Sequence, residues 1–228
     1  MTFTERFMLN FIDANRYMYL VNGLGVTVTI TIGATVLGLL LGCIIAIMKL
    51  SSWELFGVRI PNVLANIYID IIRGTPVLVQ LMIMYFLVFG SINAPLLVAI
   101  LAFGINSGAY VAEIVRAGIL AVDKGQTEAG RSLGLSSSQT MKLIIMPQAI
   151  KNILPALVNE FIVLFKETSI VGYIAIADLT KGADIIRSRT FDAFFPLLAI
   201  ALIYFVITTL LSRLLSRVER RLRQSDIR

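Results

Sequence analysis

Residues 20–48, LVNGLGVTVTITIGATVLGLLLGCIIAIM, run without a single charged side chain. A helix rises about 1.5 Å per residue and the hydrocarbon layer of a bilayer is about 30 Å thick, so about 20 apolar residues are enough to cross it. The solvent that suits such a run is lipid, where a backbone without water must satisfy its own polar groups as a helix. Four more stretches are candidates, at roughly 62–90, 94–120, 149–176 and 194–215. The first and last of the five are the most apolar, and the three between them carry charges. The whole chain is 57% hydrophobic and 15% charged, whereas soluble domains run at about 45–50% apolar and about 25% charged. The expected fold is an all-α integral membrane protein with about five transmembrane helices.

Several functions are disfavoured by what is missing. The chain contains no histidine, the commonest general base and metal ligand. Cys43 is the only cysteine, so there is no disulfide framework and no cysteine metal cluster. It lies in an apolar run and reads as a small buried hydrophobe. No G-x-S-x-G or H-E-x-x-H motif supports an intramembrane enzyme. Glu5, Arg6, Asp13 and Arg16 precede the first apolar run, which is too long for a signal h-region and lacks a small-residue cleavage site. It is expected to be a retained anchor. With no internal repeat, low-complexity tract or linker, residues 1–228 read as a single transmembrane domain.

Cytoplasmic loops are enriched in Lys and Arg. Lys49 and Arg59 lie in the first link. Arg116, Lys124, Arg131, Lys142 and Lys151 lie in or beside the third. Arg217, Arg220, Arg221, Arg223 and Arg228 lie in the tail, and the second link, GSINAP, has no basic residue. These place links one and three and the C-terminus in the cytoplasm and the N-terminus outside. The fourth link dissents, with Lys181, Arg187 and Arg189 among Asp178, Asp184 and Asp192. Gly38 and Gly42, and Gly104 and Gly108, have the spacing that lets membrane helices approach closely.

The third link, roughly 121–147, is far longer than a turn requires. DKGQTEAGRSL reads as a short helix with Gly134 as its C-cap, free to take φ > 0. Ser136 then N-caps a second helix, Gln139 completing the capping box, and that helix is expected to stop at Pro147. A helix–glycine turn–helix on the membrane surface suits docking to another protein, or serves as a surface linker.

Glu128-Ala129-Gly130, then Gly134, Ile144 and Pro147, resemble the EAA loop of ABC-transporter permease subunits, E-A-A-x3-G-x9-I-x-L-P. Gly130 stands for the third-position alanine and Met146 for the leucine. IRGTPVLVQL at 72–81, AYVAEIVRAGI at 109–119, KGQTEAGRSLGLS at 124–136 and KETSIVGYIAIADL at 166–179 resemble the polar amino-acid branch of that family, of histidine, glutamine and arginine permease type. The resemblance implies a type I ABC importer permease with a cytoplasmic coupling loop, in the cytoplasmic (inner) membrane of a bacterial-type cell. It implies an amino-acid substrate, a second permease chain (a homodimer favoured over a heterodimer), a dimer of ABC ATPase subunits and an extracytoplasmic substrate-binding protein, with no nucleic acid. Glu128, Ala129, Gly130, Gly134, Leu135 and Pro147 would form the surface gripped by the ATPase. The chain has no G-x-x-x-x-G-K-[ST] loop, so it is expected to hold no cofactor or metal of its own, with ATP and Mg bound by the partner and no catalytic residue here.

Ionisable residues inside spans cost on the order of 2.5–3.5 kcal/mol each. Asp70 with Arg73, and Glu113 with Arg116, are spaced to pair locally. Lys166 and Glu167 fall in a stretch that resembles the family, without a role the residues themselves define. Glu160, beside Asn159, has only Ala156, Leu157, Val163 and Leu164 at helical spacing. It either faces a cavity that accepts a basic amino acid such as arginine, lysine or histidine, or pairs across helices with Arg73, Lys166 or another base. Gly74-Thr75-Pro76 interrupts the second span, since Pro76 has no amide proton for the carbonyl of Ile72. The break lines a site or is a packing kink. Thr75, Gln80 and Asn22 complete the expected substrate-binding set. A secondary transporter or channel working without an ATPase, and an importer of neutral polar amino acids such as glutamine, are the competing readings.

Overall fold

A computed structural model describes residues 2–51, 53–55 and 57–224, with only the backbone at 218 and 221–224. Arg228, counted in the basic tail, lies outside the described residues. The described residues form ten α-helices in order: α1 (Phe3–Phe7), α2 (Tyr17–Leu50), α3 (Ile60–Gly74), α4 (Val77–Ile83), α5 (Pro95–Leu120), α6 (Lys124–Ser132), α7 (Ser137–Thr140), α8 (Met146–Glu167), α9 (Leu179–Thr190) and α10 (Phe194–Gln224). Short π- and 3-10-helical turns extend several of them, and no strand is formed among the described residues.

The expectation of an all-helical membrane fold is met. Among the described residues, three helices are long and apolar enough to cross a bilayer: α2, α5 and residues Phe194–Arg217 of α10. A fourth span arises if α3 and the helical stretch Val77–Val88 count together. They bend by 105° at their break. The remaining candidate, 149–176, forms α8 and then a 3-10 stretch, Thr168–Ile174. Lys151, Glu160, Lys166 and Glu167 keep it out of the set that qualifies on apolarity alone. Gly74 ends α3, and Pro76, extended at φ −64° and ψ 135°, sits at the N-cap of α4. The helix therefore breaks at this point instead of merely kinking.

The contacts divide into two compact units that interleave along the sequence. The first comprises Met1–Leu37, Thr75–Gly104 and Ile162–Leu211, and the second Gly38–Gly74, Ile105–Phe161 and Ser212–Arg228. In the first, Ile30, Ala34, Leu81, Ala99, Phe103, Leu164, Val171 and Ile174 form one apolar core, and Phe11, Leu20, Leu179, Ala183, Ile186 and Phe195 another. A Cβ on Gly23 would lie 2.4 Å from the Asp178 carbonyl oxygen, and one on Gly182 would lie 2.5 Å from that of Tyr19. These glycines let α2 touch the residues around α9 backbone to backbone.

The second unit packs Ala46, Ile69, Ala109 and Ala112 together. The small-residue spacing seen in the sequence works here. A Cβ on Gly42 would meet the Val111 side chain at 2.4 Å and the Gly108 carbonyl at 2.9 Å, and one on Gly108 would meet Leu41 at 3.1 Å. Tyr68 donates its hydroxyl proton to the Ile105 carbonyl. Cys43 departs from expectation: it is exposed, on the surface of an apolar helix whose outward side chains, such as Leu40, Ile44 and Ile47, are also exposed. An apolar surrounding solvent makes burial in the protein unnecessary for a small hydrophobe.

Candidate functional site

The connection after α5 is built from local signals. The Asp123 carboxylate accepts from the Gly125 amide at 2.7 Å and starts α6. At the other end Gly134 takes φ +83°. Its amide donates to the Arg131 carbonyl at 3.0 Å, and the Leu135 amide donates to the Gly130 carbonyl at 3.2 Å. This pair of bonds closes a helix through a left-handed glycine. The Arg131 guanidinium adds a bond to the Leu135 carbonyl at 2.8 Å. Ser136 then caps α7: its hydroxyl accepts from the Gln139 amide at 3.2 Å, and its own amide donates to the Gln139 side chain at 2.8 Å. Both caps expected from the sequence are present.

Two details go beyond that expectation. A Cβ on buried Gly130 would lie 2.7 Å from Thr140 Cγ2 and 2.9 Å from Ile144 Cδ1. In this chain, then, glycine at the third position of the motif matches a threonine pressed against it. Second, the helix does not stop at Pro147. A π-turn, Met141–Ile145, joins α7 to α8, and the Met146 amide donates back to the Met141 carbonyl. Pro147 is the second residue of α8. A proline there loses a hydrogen bond and crowds the preceding turn, and the wider π-turn gives its ring room. Glu128, Ala129, Gly134 and Pro147 are exposed, Leu135 is half-buried, and Leu133 is 80% exposed.

The expected transport residues fall in both units. Asn22, Thr75 and Gln80 belong to the first, Asn159 and Glu160 to the second. Gln80 donates to the Thr75 hydroxyl at 2.7 Å and its carbonyl at 3.1 Å, bridging the helix break. Asn22 and Asn159 are exposed, and Glu160 is half-buried. Ser107, almost wholly buried on α5, donates to Glu160 Oε1 at 2.9 Å. Sequence reasoning missed Ser107, although it lies between the paired glycines 104 and 108.

The charged pairs are partly as expected. Arg116 binds Glu113 at 2.9 Å, and Lys49, distant in sequence, binds its other oxygen. No Asp70–Arg73 ion pair forms among the described residues; the Arg73 guanidinium sits 5.2 Å from the Tyr110 ring centroid instead. Asp70 is exposed. The aromatic face competes for arginine well in a membrane setting.

Comparison with known proteins agrees with these motifs. The chain belongs to the family of binding-protein-dependent transport system inner membrane components, whose model matches residues 38–224, and is therefore an ABC-transporter permease. It is similar to the arginine transport system permease protein ArtQ of Bacillus subtilis strain 168, at 38% identity, covering 91% of this chain and 94% of that one. It is also similar to the glutamine transport system permease protein GlnP of Escherichia coli K12, at 39% identity, covering 85% and 90%. A crystal structure of an amino acid ABC transporter with histidines shares 50% identity and a TM-score of 0.84, covering 92% of this chain and 98% of that one. The MetNI methionine transporter in an inward-facing conformation, 17% identical with a TM-score of 0.77 over 90% and 96%, shares the fold.

Proposed function

We propose that this chain is the membrane subunit of an ATP-driven importer of polar amino acids, with basic amino acids as its preferred substrates. The observation that carries the substrate class is Glu160. A half-buried carboxylate attracts a cationic side chain that passes beside it and repels an anionic one. The Ser107 hydroxyl fixes one of its oxygens. The relatives named for arginine and for glutamine support both the basic and the neutral polar class, and the carboxylate favours the basic one. The expected set of Asn159, Asn22, Thr75 and Gln80 would supply neutral polar contacts.

ATP and Mg belong to a separate ATPase dimer that grips the α6–α7 connection. Exposed Glu128, Ala129, Gly134 and Leu133 form the grip, and Gly130 and Leu135 hold its shape. In this arrangement the connection and the C-terminus are cytoplasmic and the N-terminus lies outside. A second copy of this chain completes the pathway, and a binding protein delivers substrate.

Vesicles reconstituted with permease, ATPase and binding protein test the reading. Uptake of labelled arginine, lysine or histidine should require all three components and ATP. Glu160→Gln should cut uptake of the cationic substrates about tenfold or more and spare glutamine. Unchanged uptake of the cationic substrates by this variant removes the charge-matching role. Uptake with the permease alone would overturn the importer reading. Glu128→Lys should weaken ATPase association, measured by co-purification.

A further inference from the structure

Lys181, Arg187 and Arg189 break the basic-residue pattern of the loops, and the structure shows what each of them contacts. All three lie on α9. Arg189 is placed over the Tyr19 ring, 5.0 Å from its centroid. Lys181 and Arg187 converge on Asp184: Lys181 Nζ donates to Oδ2 at 2.8 Å, and Arg187 Nε donates to Oδ1 at 3.1 Å with Nη2 on the same oxygen. Two cations share one carboxylate, so the group carries a net charge of +1. Arg187 Nη1 takes no part in that contact, and Lys181 Nζ uses one of its three protons in it. The Lys181 stem lies against Gly172, where a Cβ would come within 3.5 Å.

Lys181, Asp184 and Arg187 line an open cavity of about 480 Å³ within the first unit. Its other walls include Ser169, Thr180, Tyr173 and Leu197. Small-molecule sites are typically cavities of about 300–1,000 Å³ with apolar walls and a few polar groups. The lining of this one joins apolar Ala193 and Leu197 to an excess of cationic donors and to the ring of Tyr173, which is 66% exposed.

We propose that this cavity is a separate binding site for a free amino acid, its α-carboxylate held by Lys181 and Arg187 and its side chain lying against Tyr173 and Leu197. The assignment rests on the proposed amino-acid import. It adds a carboxylate-reading site at α9 to the charge-matching role of Glu160, and it gives the basic residues of this connection a reason to be there. Asp184 keeps both cations in place when the site is empty.

The test uses the purified complex of this chain with its ATPase, without binding protein. Arginine and glutamine are titrated by calorimetry beside argininamide and glutaminamide, which lack the carboxylate. The acids should bind at least tenfold more tightly than the amides. Lys181→Gln with Arg187→Gln should abolish that preference, and Lys181→Arg should keep it. Tyr173→Ala should weaken acid and amide together. Equal binding of acid and amide by the unaltered complex overturns the site, and so does a preference that survives in the double variant. A double variant that changes only the response to added binding protein also overturns it and assigns the cations to protein docking. If the unaltered complex imports amino acids in vesicles yet binds none in this titration, the cavity fails alone. If it imports none, the proposed function fails with it.

Discussion

The connection between Leu120 and Met146 takes its shape from near neighbours. Every cap in it, at Asp123, Gly134 and Ser136, joins residues within five positions of one another. The connection between Ile174 and Phe194 is held from far away. The Leu179 amide donates to the Thr27 hydroxyl across 152 positions, and Arg6 clasps Asp192 across 186. Asn10, wholly buried, donates to Asp192 Oδ2 at 3.0 Å and accepts from the Thr190 hydroxyl at 2.9 Å. A segment fixed by its own neighbours keeps its form as a handle for another protein. A segment fixed by distant partners is only as firm as the packing around it.

That contrast can be broken at several points. The largest effect should come from Gly182→Val. Its Cβ would strike the backbone carbonyl of Tyr19, which cannot rotate aside, and overpacking of this kind costs about 1–3 kcal/mol. A lowered unfolding midpoint is expected, with faster amide exchange both around residue 20 and along α9. Gly134→Val ranks next, because a left-handed conformation costs a branched residue about 1–2 kcal/mol. Exchange should rise within 124–145 and stay unchanged at α9, while ATP-driven uptake falls. Spread of the disturbance to α9 would refute the local character of this connection. Ser136→Ala removes one cap, worth about 1 kcal/mol, and Ser136→Asp should restore the lost protection.

The smallest effect is a pH dependence of the distant clasp. The Arg6 guanidinium, hydrogen-bonded to Asp192, holds its carboxyl below the usual range, aided by the Asn10 side chain and the Phe194 amide and opposed by burial. The unfolded chain therefore takes up that proton more readily. Its contribution is complete above about pH 4, the ordinary aspartate value, and is lost as pH falls through the depressed one. Exchange of the amides of residues 3–12 should quicken on acidification below about pH 4. Asp192→Asn should quicken it at neutral pH and remove the dependence. Exposure of Arg6 keeps the effect small.

What could be read from the sequence follows the same division. Gly134, Ser136 and Gln139 declare their roles by spacing alone, because caps are short-range. The apolar runs declare α2, α5 and α10 because the bilayer sets their length. Pro147 misled, since a proline normally closes a helix and nothing in the sequence announces the π-turn that accommodates it. Asp70 and Arg73 misled because helical spacing does not reveal that Tyr110 stands nearer the guanidinium. Lys49 with Glu113, and Ser107 with Glu160, join residues 64 and 53 positions apart. Only folding brings such partners together.

From Ser137 to Glu167 the chain never leaves helical form. Thirty-one residues at about 1.5 Å each trace a helical path of roughly 46 Å. One end emerges from the Gly134 elbow, and the other carries Glu160 a few turns from its tip. Pro155, inside α8, removes one helical hydrogen bond along this path. The π-turn, one residue too wide for the coil around it, and Pro155 are the two places where this path would first yield.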